Sequence, residues 1–410
     1  MKLSKRPHLL LALTAGLIGA SAFSALAADD SSGTCGAKHN QLCPSAVVPQ
    51  ATNAAEIAAQ IAASAASSQS IDQVVAAELQ SVPPSWGGPT APAPAPKKKL
   101  KLALISCSSQ LHGCVTPLIG ASQAAEYLGW TSTTYDGGGS PDAWNKVILN
   151  AVTSGADAIL FTSINPLLIQ QGLEAAKNAG IPVISASSGS SDPNPAVAVP
   201  AGKAWPLLDV SQSFVDTGRQ MADSVIKDSG GKANVLVLTD KEYTSGVSQA
   251  GVVDEFNKRC PDCQISTFDF LGADVGTTVA NQTVGYLRSH PKIDYVIAPY
   301  DPAAAVMVAA MAQAGMNNIK VCSLLGDQQN LNFIRHGEIQ NCDAAYDNVY
   351  AGWAMVDQLI RYLDKLPFAQ PLGENTPAVL LEKSNLPAPG TDWQTSIPYQ
   401  AKFKELWKSN

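Results

Sequence analysis

The chain has 410 residues, 46% of them hydrophobic, and a formal net charge of -7 at pH 7. An acidic balance disfavours a nucleic-acid partner, because phosphate recognition needs a basic surface. The length and the apolar content allow two ordinary domains, each with its own hydrophobic core.

The first 27 residues have the organisation of a secretory signal peptide. Lys2, Lys5 and Arg6 form a basic start, an apolar stretch runs from Leu9 to Ala20, and small residues precede a cleavage site near Ala27. We therefore expect a periplasmic mature protein that does not insert into the membrane. No later run of the sequence is long and apolar enough to span a bilayer.

The extension over residues 28–99 is rich in alanine, serine and proline. It contains a possible helix from Asn53 to about Leu79 and a spacer from Pro83 to Pro96 with a high proline content. We expect a mobile, functionally quiet arm, because such a composition offers little apolar surface to bury. A partner-binding arm is the alternative interpretation.

All eight cysteines follow the expected cleavage site, in couples that are close in sequence. An even number of cysteines in an exported protein favours disulfides. One couple has C-x-x-C spacing, which also fits a metal site, yet no second C-x-x-C or histidine pair accompanies it. We predict disulfides, and proximity is the only guide to their pairing. The couples are Cys35 with Cys43, Cys107 with Cys114, Cys260 with Cys263, and Cys322 with Cys342.

From Leu100 onward, short apolar runs alternate with helical stretches in two comparable series. The first series begins with a strand from Lys101 to Ser106 and ends with a strand from Pro182 to Ala186. The second includes strands from Ala233 to Leu238 and from Lys320 to Leu324. Continuous apolar strands between helices predict parallel sheets covered on both faces, and hence two Rossmann-like α/β lobes. A ligand would bind in the cleft where the carboxyl ends of their strands face each other.

Five segments have an order and spacing that match one known family. They are KLALISC (Lys101 to Cys107), GASQAAEYLGW (Gly120 to Trp130), AVTSGADAILFTSINP (Ala151 to Pro166), AKNAGIPVISAS (Ala176 to Ser187) and VIAPYDPAAAVMVAAMAQAG (Val296 to Gly315). From about Leu100 to Glu382 the chain resembles the sugar-binding, ribose-binding-protein-like type I periplasmic binding proteins of ABC importers. The resemblance implies two lobes joined by a crossing hinge. Lobe 1 would hold residues 100–210 plus 346–382, and lobe 2 residues 211–345 plus 383–410.

The resemblance also implies a function. A monomer would capture a small solute in the cleft and deliver it to the membrane permease of an ABC-type importer. The sequence has no G-x-S-x-G, P-loop or H-E-x-x-H motif, so we expect no enzyme activity, no catalytic residue, no metal and no cofactor. One alternative is a periplasmic receptor that signals to a sensor kinase or chemoreceptor. Another is an enzyme on the same scaffold, for which His112, Asp301 and Asp327 are the candidate ionisable groups.

Ten residues are candidate ligand contacts, because they follow predicted strands or match pocket positions of the family. The Asp-Arg pair with which the family grips a pentose is missing, and Ser187 and Ser188 stand in its place. Serine, tyrosine and histidine suit a flatter, partly aromatic or weakly polar ligand as well as a sugar-like one. The candidates are Ser109, His112, Asp136, Ser187, Ser188, Tyr243, Tyr300, Asp301, Asp327 and Tyr346.

Some of these residues also have a structural interpretation. Asp301 could cap the helix that starts near Ala303, and Asp136 could end a strand before a turn at residues 137–139. His112 could lie on a surface loop. If a disulfide instead ties residues 107–114 into a ring, we expect the imidazole of His112 to face the cleft.

Overall fold

The structure is a computed structural model, and it describes residues 69–80, 86–189, 202–240 and 245–408. The expected signal peptide and most of the helix predicted from Asn53 lie outside the described residues. The strands are β1 (Lys101–Ser106), β2 (Thr131–Asp136), β3 (Ala158–Thr162), β4 (Val183–Ala186), β5 (Asp209–Val210), β6 (Asn234–Asp240), β7 (Gln264–Phe270), β8 (Tyr295–Ile297), β9 (Lys320–Leu325), β10 (Gln340–Tyr346) and β11 (Ala378–Glu382). The helices are α1 (Ile71–Glu78), α2 (His112–Tyr127), α3 (Pro141–Thr153), α4 (Gln170–Asn178), α5 (Phe214–Asp228), α6 (Ser245–Arg259), α7 (Val279–Ser289), α8 (Asp301–Gln313), α9 (Gln328–His336), α10 (Asn348–Leu363) and α11 (Tyr399–Leu406).

The strands form two separate sheets, which define lobe 1 and lobe 2. The sheet of lobe 1 has the order β2-β1-β3-β4-β5, and all its neighbouring strands are parallel. The sheet of lobe 2 has the order β11-β10-β9-β8-β6-β7 and is parallel except for β11. The predicted architecture of two Rossmann-like α/β lobes is confirmed. Among the described residues, no helix combines the length and the apolar character that a membrane crossing requires.

Glycines allow the closest helix packing in each lobe. In lobe 1, a Cβ on Gly120 of α2 would lie 2.1 Å from the carbonyl oxygen of Val349 in α10. In lobe 2, a Cβ on Gly218 of α5 would lie 2.0 Å from the carbonyl oxygen of Ser248 in α6. No side chain fits in such a gap, so these backbones approach each other only because both positions are glycine.

The C-terminal part of the chain is distributed between the lobes differently from the prediction. We expected residues 378–382 in lobe 1 and residues 383–410 in lobe 2. The strand β11 instead pairs antiparallel with β10 and covers the edge of the lobe 2 sheet with its buried apolar residues. The helix α11 belongs to the core of lobe 1, where the ring of Trp407 stacks on Trp353 with centroids 5.4 Å apart. Burial of these aromatic rings, rather than chain order, decides the placement.

The described part of the N-terminal extension is packed, which contradicts the expectation of a mobile arm there. The helix α1 places Val75 in the core of lobe 2, against residues of α5. Beyond it, Trp86 meets Phe403 edge to face at 5.2 Å, and the N–H of Ala93 donates to the carbonyl of Leu406 at 2.9 Å. The extension therefore contacts lobe 2 with its helix and lobe 1 with its proline-rich segment.

Three disulfides lie within the described residues, and each joins one of the couples that are close in sequence. Cys107 pairs with Cys114, Cys260 with Cys263 and Cys322 with Cys342, with Cα–Cα distances of 5.5, 5.3 and 4.7 Å. The last pair bridges the neighbouring strands β9 and β10. The Cys107–Cys114 disulfide lies where lobe 1 faces the cleft.

The fourth predicted disulfide involves residues near the N-terminus. Cys35 and Cys43 both lie outside the described residues, so the bond between Cys35 and Cys43 stays a prediction. The same holds for the predicted ligand contact of Tyr243, which also lies outside the described ranges.

Candidate functional site

The two lobes enclose a small cavity of about 60 Å³ between their strand-to-helix loops. Its walls lie where parallel sheets are expected to bind ligands, beyond the carboxyl ends of the strands. The lining residues are Leu111, Gly113, Cys114, Ser163 and Ser187 from lobe 1, and Phe214, Ser248, Pro299, Tyr300, Pro302, Leu324, Leu325 and Tyr346 from lobe 2 and the adjoining crossing segments.

The cavity is mainly apolar. Eight of its thirteen lining residues carry no side-chain oxygen or nitrogen, and the other five are three serines and two tyrosines. Among the described residues, no charged or amide side chain lines it. The wall therefore offers mainly apolar contacts and a few hydroxyl groups.

Several polar groups at the cavity have no partner within the described structure. The hydroxyls of Ser187 and Ser248 are buried without a hydrogen bond. The side-chain amide of Gln212, which lies next to Tyr346 but does not line the cavity, is also buried without one. Burial raises the pKa of Tyr346 above its ordinary value. The neighbouring side chains of Ser187 and Gln212 lower it, although neither meets hydrogen-bond geometry. Buried polar atoms are normally paired, so these groups are suited to bind a ligand.

Three lining residues have backbone conformations that side chains other than glycine rarely adopt. Ser163 and Ser187 have φ angles of 54° and 53°, and Leu325 has a φ angle of 138°. Each such residue costs about 1–3 kcal/mol, and they are found where the surrounding structure fixes a functional loop. In this conformation the side chain of Ser187 lies at the cavity.

A buried carboxylate supports the loop that carries Ser187. Asp209 of β5 accepts hydrogen bonds from the hydroxyl of Ser185 at 2.6 Å and from the N–H of Ser188 at 3.1 Å. Burial raises the pKa of Asp209 to about 6, although these donors lower it. Ser188 is therefore buried under the loop and supports its neighbour, rather than lining the cavity.

Asp301 supports the corresponding loop of lobe 2. Its carboxylate accepts from the hydroxyl of Ser323 and, at 2.7 Å, from the N–H of Asp327, while Asp343 accepts from the N–H of Gly326 at 3.0 Å. Burial, together with the charge of Asp343, raises the pKa of Asp301 well above its ordinary value. Asp301 is fully buried and neither caps α8 nor lines the cavity, so both predicted roles differ from what is observed. It fixes residues 325–327 instead.

The ring closed by the Cys107–Cys114 disulfide forms one wall of the cavity. The indole N–H of Trp144 donates to the carbonyl of Cys107 at 2.7 Å, and the hydroxyl of Thr162 donates to the carbonyl of Cys114 at 2.5 Å. These bonds attach both ends of the ring to the core of lobe 1. The wall that contains Leu111 is thus held by a covalent link and two buried hydrogen bonds.

His112 lies at the edge of the cavity and makes a contact between the lobes. Its Nε2 atom is 2.6 Å from Oδ2 of Asp392, a residue anchored on lobe 2. The hydrogen bond to Asp392 raises the pKa of His112, whereas partial burial lowers it. Asp327 faces the same pair, and burial raises its pKa to about 7. The imidazole therefore joins the lobes instead of pointing into the cavity.

The structure brings three of the ten predicted residues to the cavity, namely Ser187, Tyr300 and Tyr346. The hydroxyl of Tyr300 donates to Asp240 at 2.5 Å, so its ring faces the cavity while its oxygen is held by lobe 2. Ser109 and Asp136 bond to each other at an exposed edge of lobe 1, where Asp136 also accepts from the N–H of Gly138.

Sequence reasoning missed several cavity residues. Ser163 follows β3, Phe214 begins the helix after β5, and Ser248 lies in the first turn of the helix after β6. All three lie in a strand-to-helix connection or in the first helical turn after one, so the rule that located the cleft also pointed to them. The sequence does not show which side chain of each connection faces inward.

Comparison with known proteins agrees with this geometry. Residues 114–367, more than half of the chain, match the sequence model of the periplasmic binding protein domain. No curated protein sequence is significantly similar to the chain.

Solved structures share the fold. An ABC transporter solute-binding protein from Agrobacterium vitis bound with α-D-tagatopyranose has a TM-score of 0.61 and 20% identity, covering 74% of this chain and 99% of that one. A glucose-galactose binding protein from Geobacillus stearothermophilus has a TM-score of 0.60 and 14% identity, covering 71% and 100%. An ABC transporter solute-binding protein from Burkholderia graminis in complex with D-arabinose has a TM-score of 0.58 and 15% identity, covering 72% and 98%. These relatives are solute-binding proteins rather than enzymes. The chain belongs to the periplasmic binding protein family and has the type I, ribose-binding-protein-like fold.

Proposed function

We propose that the chain is the periplasmic substrate-binding subunit of an ABC importer and that its ligand is a small, weakly polar ring compound. The observation that carries the proposal is the cavity wall, in which serine and tyrosine hydroxyls stand among apolar side chains. The family match supports solute binding, and the sequence supports export with cleavage near Ala27. The partner would be the permease of the importer.

A highly hydroxylated sugar fits this wall poorly. Each hydroxyl of a buried sugar needs a hydrogen-bond partner, and an unpaired one costs about 1–3 kcal/mol. Relatives in the same fold bind tagatopyranose and arabinose, which carry a hydroxyl on most ring carbons. Here the unpaired groups at the cavity are few, and three of the thirteen lining residues are aromatic. A ring with one or two polar substituents would leave fewer groups unpaired.

The proposed binding mode uses both lobes. The ring would lie against Phe214, Tyr300 and Tyr346, while its polar substituents reach the hydroxyls of Ser187 in lobe 1 and Ser248 in lobe 2. A ligand shifts the equilibrium toward the closed form only if it binds that form more tightly than the open one. Contacts to both lobes provide this difference, and the closed form would be the state that the permease recognises.

Isothermal titration calorimetry with the mature protein, residues 28–410, tests the ligand class. The panel contains D-ribose and D-galactose on one side, and phenol, catechol and benzyl alcohol on the other. We expect measurable binding of at least one weakly polar compound and none of the two sugars. Tight binding of a sugar, with no response to any weakly polar compound, would refute the ligand class.

A matched pair of serine variants tests the site itself. Ser187→Ala should weaken binding of the best panel compound about three- to tenfold, because a hydrogen bond is worth roughly 0.5–1.5 kcal/mol. Ser109→Ala is the control, because Ser109 bonds to Asp136 away from the cavity. Equal affinities of the two variants would show that the compound binds elsewhere.

A further inference from the structure

A cluster of three side chains from separate parts of the chain lies at the edge of the cavity. His112 is the first residue of α2 in lobe 1, Asp327 precedes α9 in lobe 2, and Asp392 lies in the segment after β11. One nitrogen of the imidazole and one oxygen of each carboxylate all lie within 4.8 Å of one another. The cluster therefore contains donors from both lobes.

Asp327 is the unusual member of the cluster. It is only 8% exposed, and it occupies the position before a helix where an aspartate normally accepts hydrogen bonds from the first N–H groups. Its side chain makes no such bond, and no other donor in the described ranges reaches its carboxylate. A buried carboxylate without a donor is costly, so a cation close to it would stabilise this arrangement.

The other carboxylate is already oriented toward the cluster. The N–H of Gln328 donates to Oδ1 of Asp392 at 2.9 Å, which leaves Oδ2 facing Nε2 of His112 at 2.6 Å. The N–H of the next residue, Trp393, donates to the carbonyl of Gly326 at 2.8 Å and fixes this segment on lobe 2. Backbone bonds of this kind are typical of the supporting shell of a metal ligand.

The donor set indicates which ion fits. One imidazole nitrogen and two carboxylate oxygens suit Zn²⁺, which commonly takes three protein ligands and keeps a position for water. Ca²⁺ and Mg²⁺ prefer sites made of oxygen alone. Ligand bonds of about 2.0–2.2 Å require movements of roughly 1 Å in the cluster. The imidazole can move, because 47% of the side chain of His112 is exposed.

We propose that His112, Asp327 and Asp392 bind a divalent transition-metal ion, for which Zn²⁺ is the best match, and that this site is complete only when the lobes meet. Such an ion would stabilise the closed form, because the open form separates the histidine of lobe 1 from the carboxylates of lobe 2. The neighbouring residues Leu111 and Gly113 line the cavity, so the ion would lie beside the organic ligand and not in its place.

Calorimetric titration of ZnCl₂ into the tag-free, metal-stripped mature protein tests the site. We expect one equivalent to bind with a dissociation constant in the micromolar range or below, and His112→Gln and Asp327→Asn each to weaken binding at least tenfold. His336→Gln is the matched control, because His336 forms an exposed pair with Glu338 on the surface of lobe 2. It should leave the zinc affinity unchanged.

A second measurement keeps the proposal testable if Asp327→Asn unfolds. Co²⁺ added to the wild-type protein should give the visible spectrum of a tetrahedral site, and His112→Gln should abolish it. Zinc binding that is equal in wild type and His112→Gln, or that falls equally in His336→Gln, would overturn the proposal. No organic ligand enters these titrations, so their outcome is independent of the ligand panel.

Discussion

Replacing Cys107 and Cys114 together by serine opens a loop whose end lines the ligand cavity. The two cysteines are 7 positions apart, so the disulfide closes a ring of eight residues. The loop-entropy relation assigns about 2.5 kcal/mol of stabilisation to a ring of this size. The pair Cys260–Cys263, 3 positions apart, gives about 1.9 kcal/mol by the same relation.

The two double variants should therefore lose similar stability but differ in binding. Urea denaturation without reductant should show free energies of unfolding lower by about these amounts. Calorimetry with the best panel compound should show about a tenfold loss when Cys107→Ser and Cys114→Ser are combined, because binding must then order a flexible wall. Affinity should change less than twofold when Cys260→Ser and Cys263→Ser are combined, since these cysteines lie in the core of lobe 2. Equal affinities in both variants would refute a role for the ring in the site.

Two further predictions concern stability. Gly120→Ala should destabilise lobe 1 by roughly 2 kcal/mol in urea denaturation, because the new Cβ would meet the carbonyl of Val349. The control is Gly285→Ala, which lies in a helix with open space around it and should be neutral or stabilising. Burial and neighbouring carboxylates raise the pKa of Glu78 to about 9, and burial raises the pKa of Asp223 to about 8. The folded state therefore keeps protons on these two groups that the unfolded state releases near pH 4–5. The packing of α1 should therefore weaken as the pH rises from about 5 to 9, which hydrogen exchange of the α1 amides would measure. Glu78→Gln should flatten this pH dependence. If the α1 amides exchanged faster at low pH than their intrinsic rates explain, the predicted direction of the pH dependence would be wrong.

The fold could be predicted because its signal is repeated along the chain. Most apolar strands from Lys101 onward are followed by a helix, and this alternation admits few architectures other than parallel α/β lobes. The exchange of β11 and α11 between the lobes could not be predicted in this way. The strand β11 is an isolated apolar run, and its antiparallel pairing depends on an open edge of the sheet that appears only in three dimensions.

The site was harder to predict than the fold, because adjacent residues of one loop have opposite roles. Ser187 lines the cavity while Ser188 hydrogen-bonds beneath it, and the left-handed backbone at Ser187 decides which is which. In the same way Tyr300 lines the cavity, whereas Asp301 is buried under the loop of residues 325–327. Residue type and position after a strand locate the loop, but the direction of each side chain depends on local dihedral angles and on packing.

The most direct test of closure around a bound molecule is small-angle X-ray scattering of residues 28–410 with and without the best panel compound. A chelator should be present, so that bound metal ions do not change the radius of gyration. We expect the radius of gyration to decrease at saturating ligand in the wild-type protein, and in Ser187→Ala only at higher ligand concentration. A saturated wild-type protein with an unchanged scattering curve would contradict the claim that the two lobes close on their ligand.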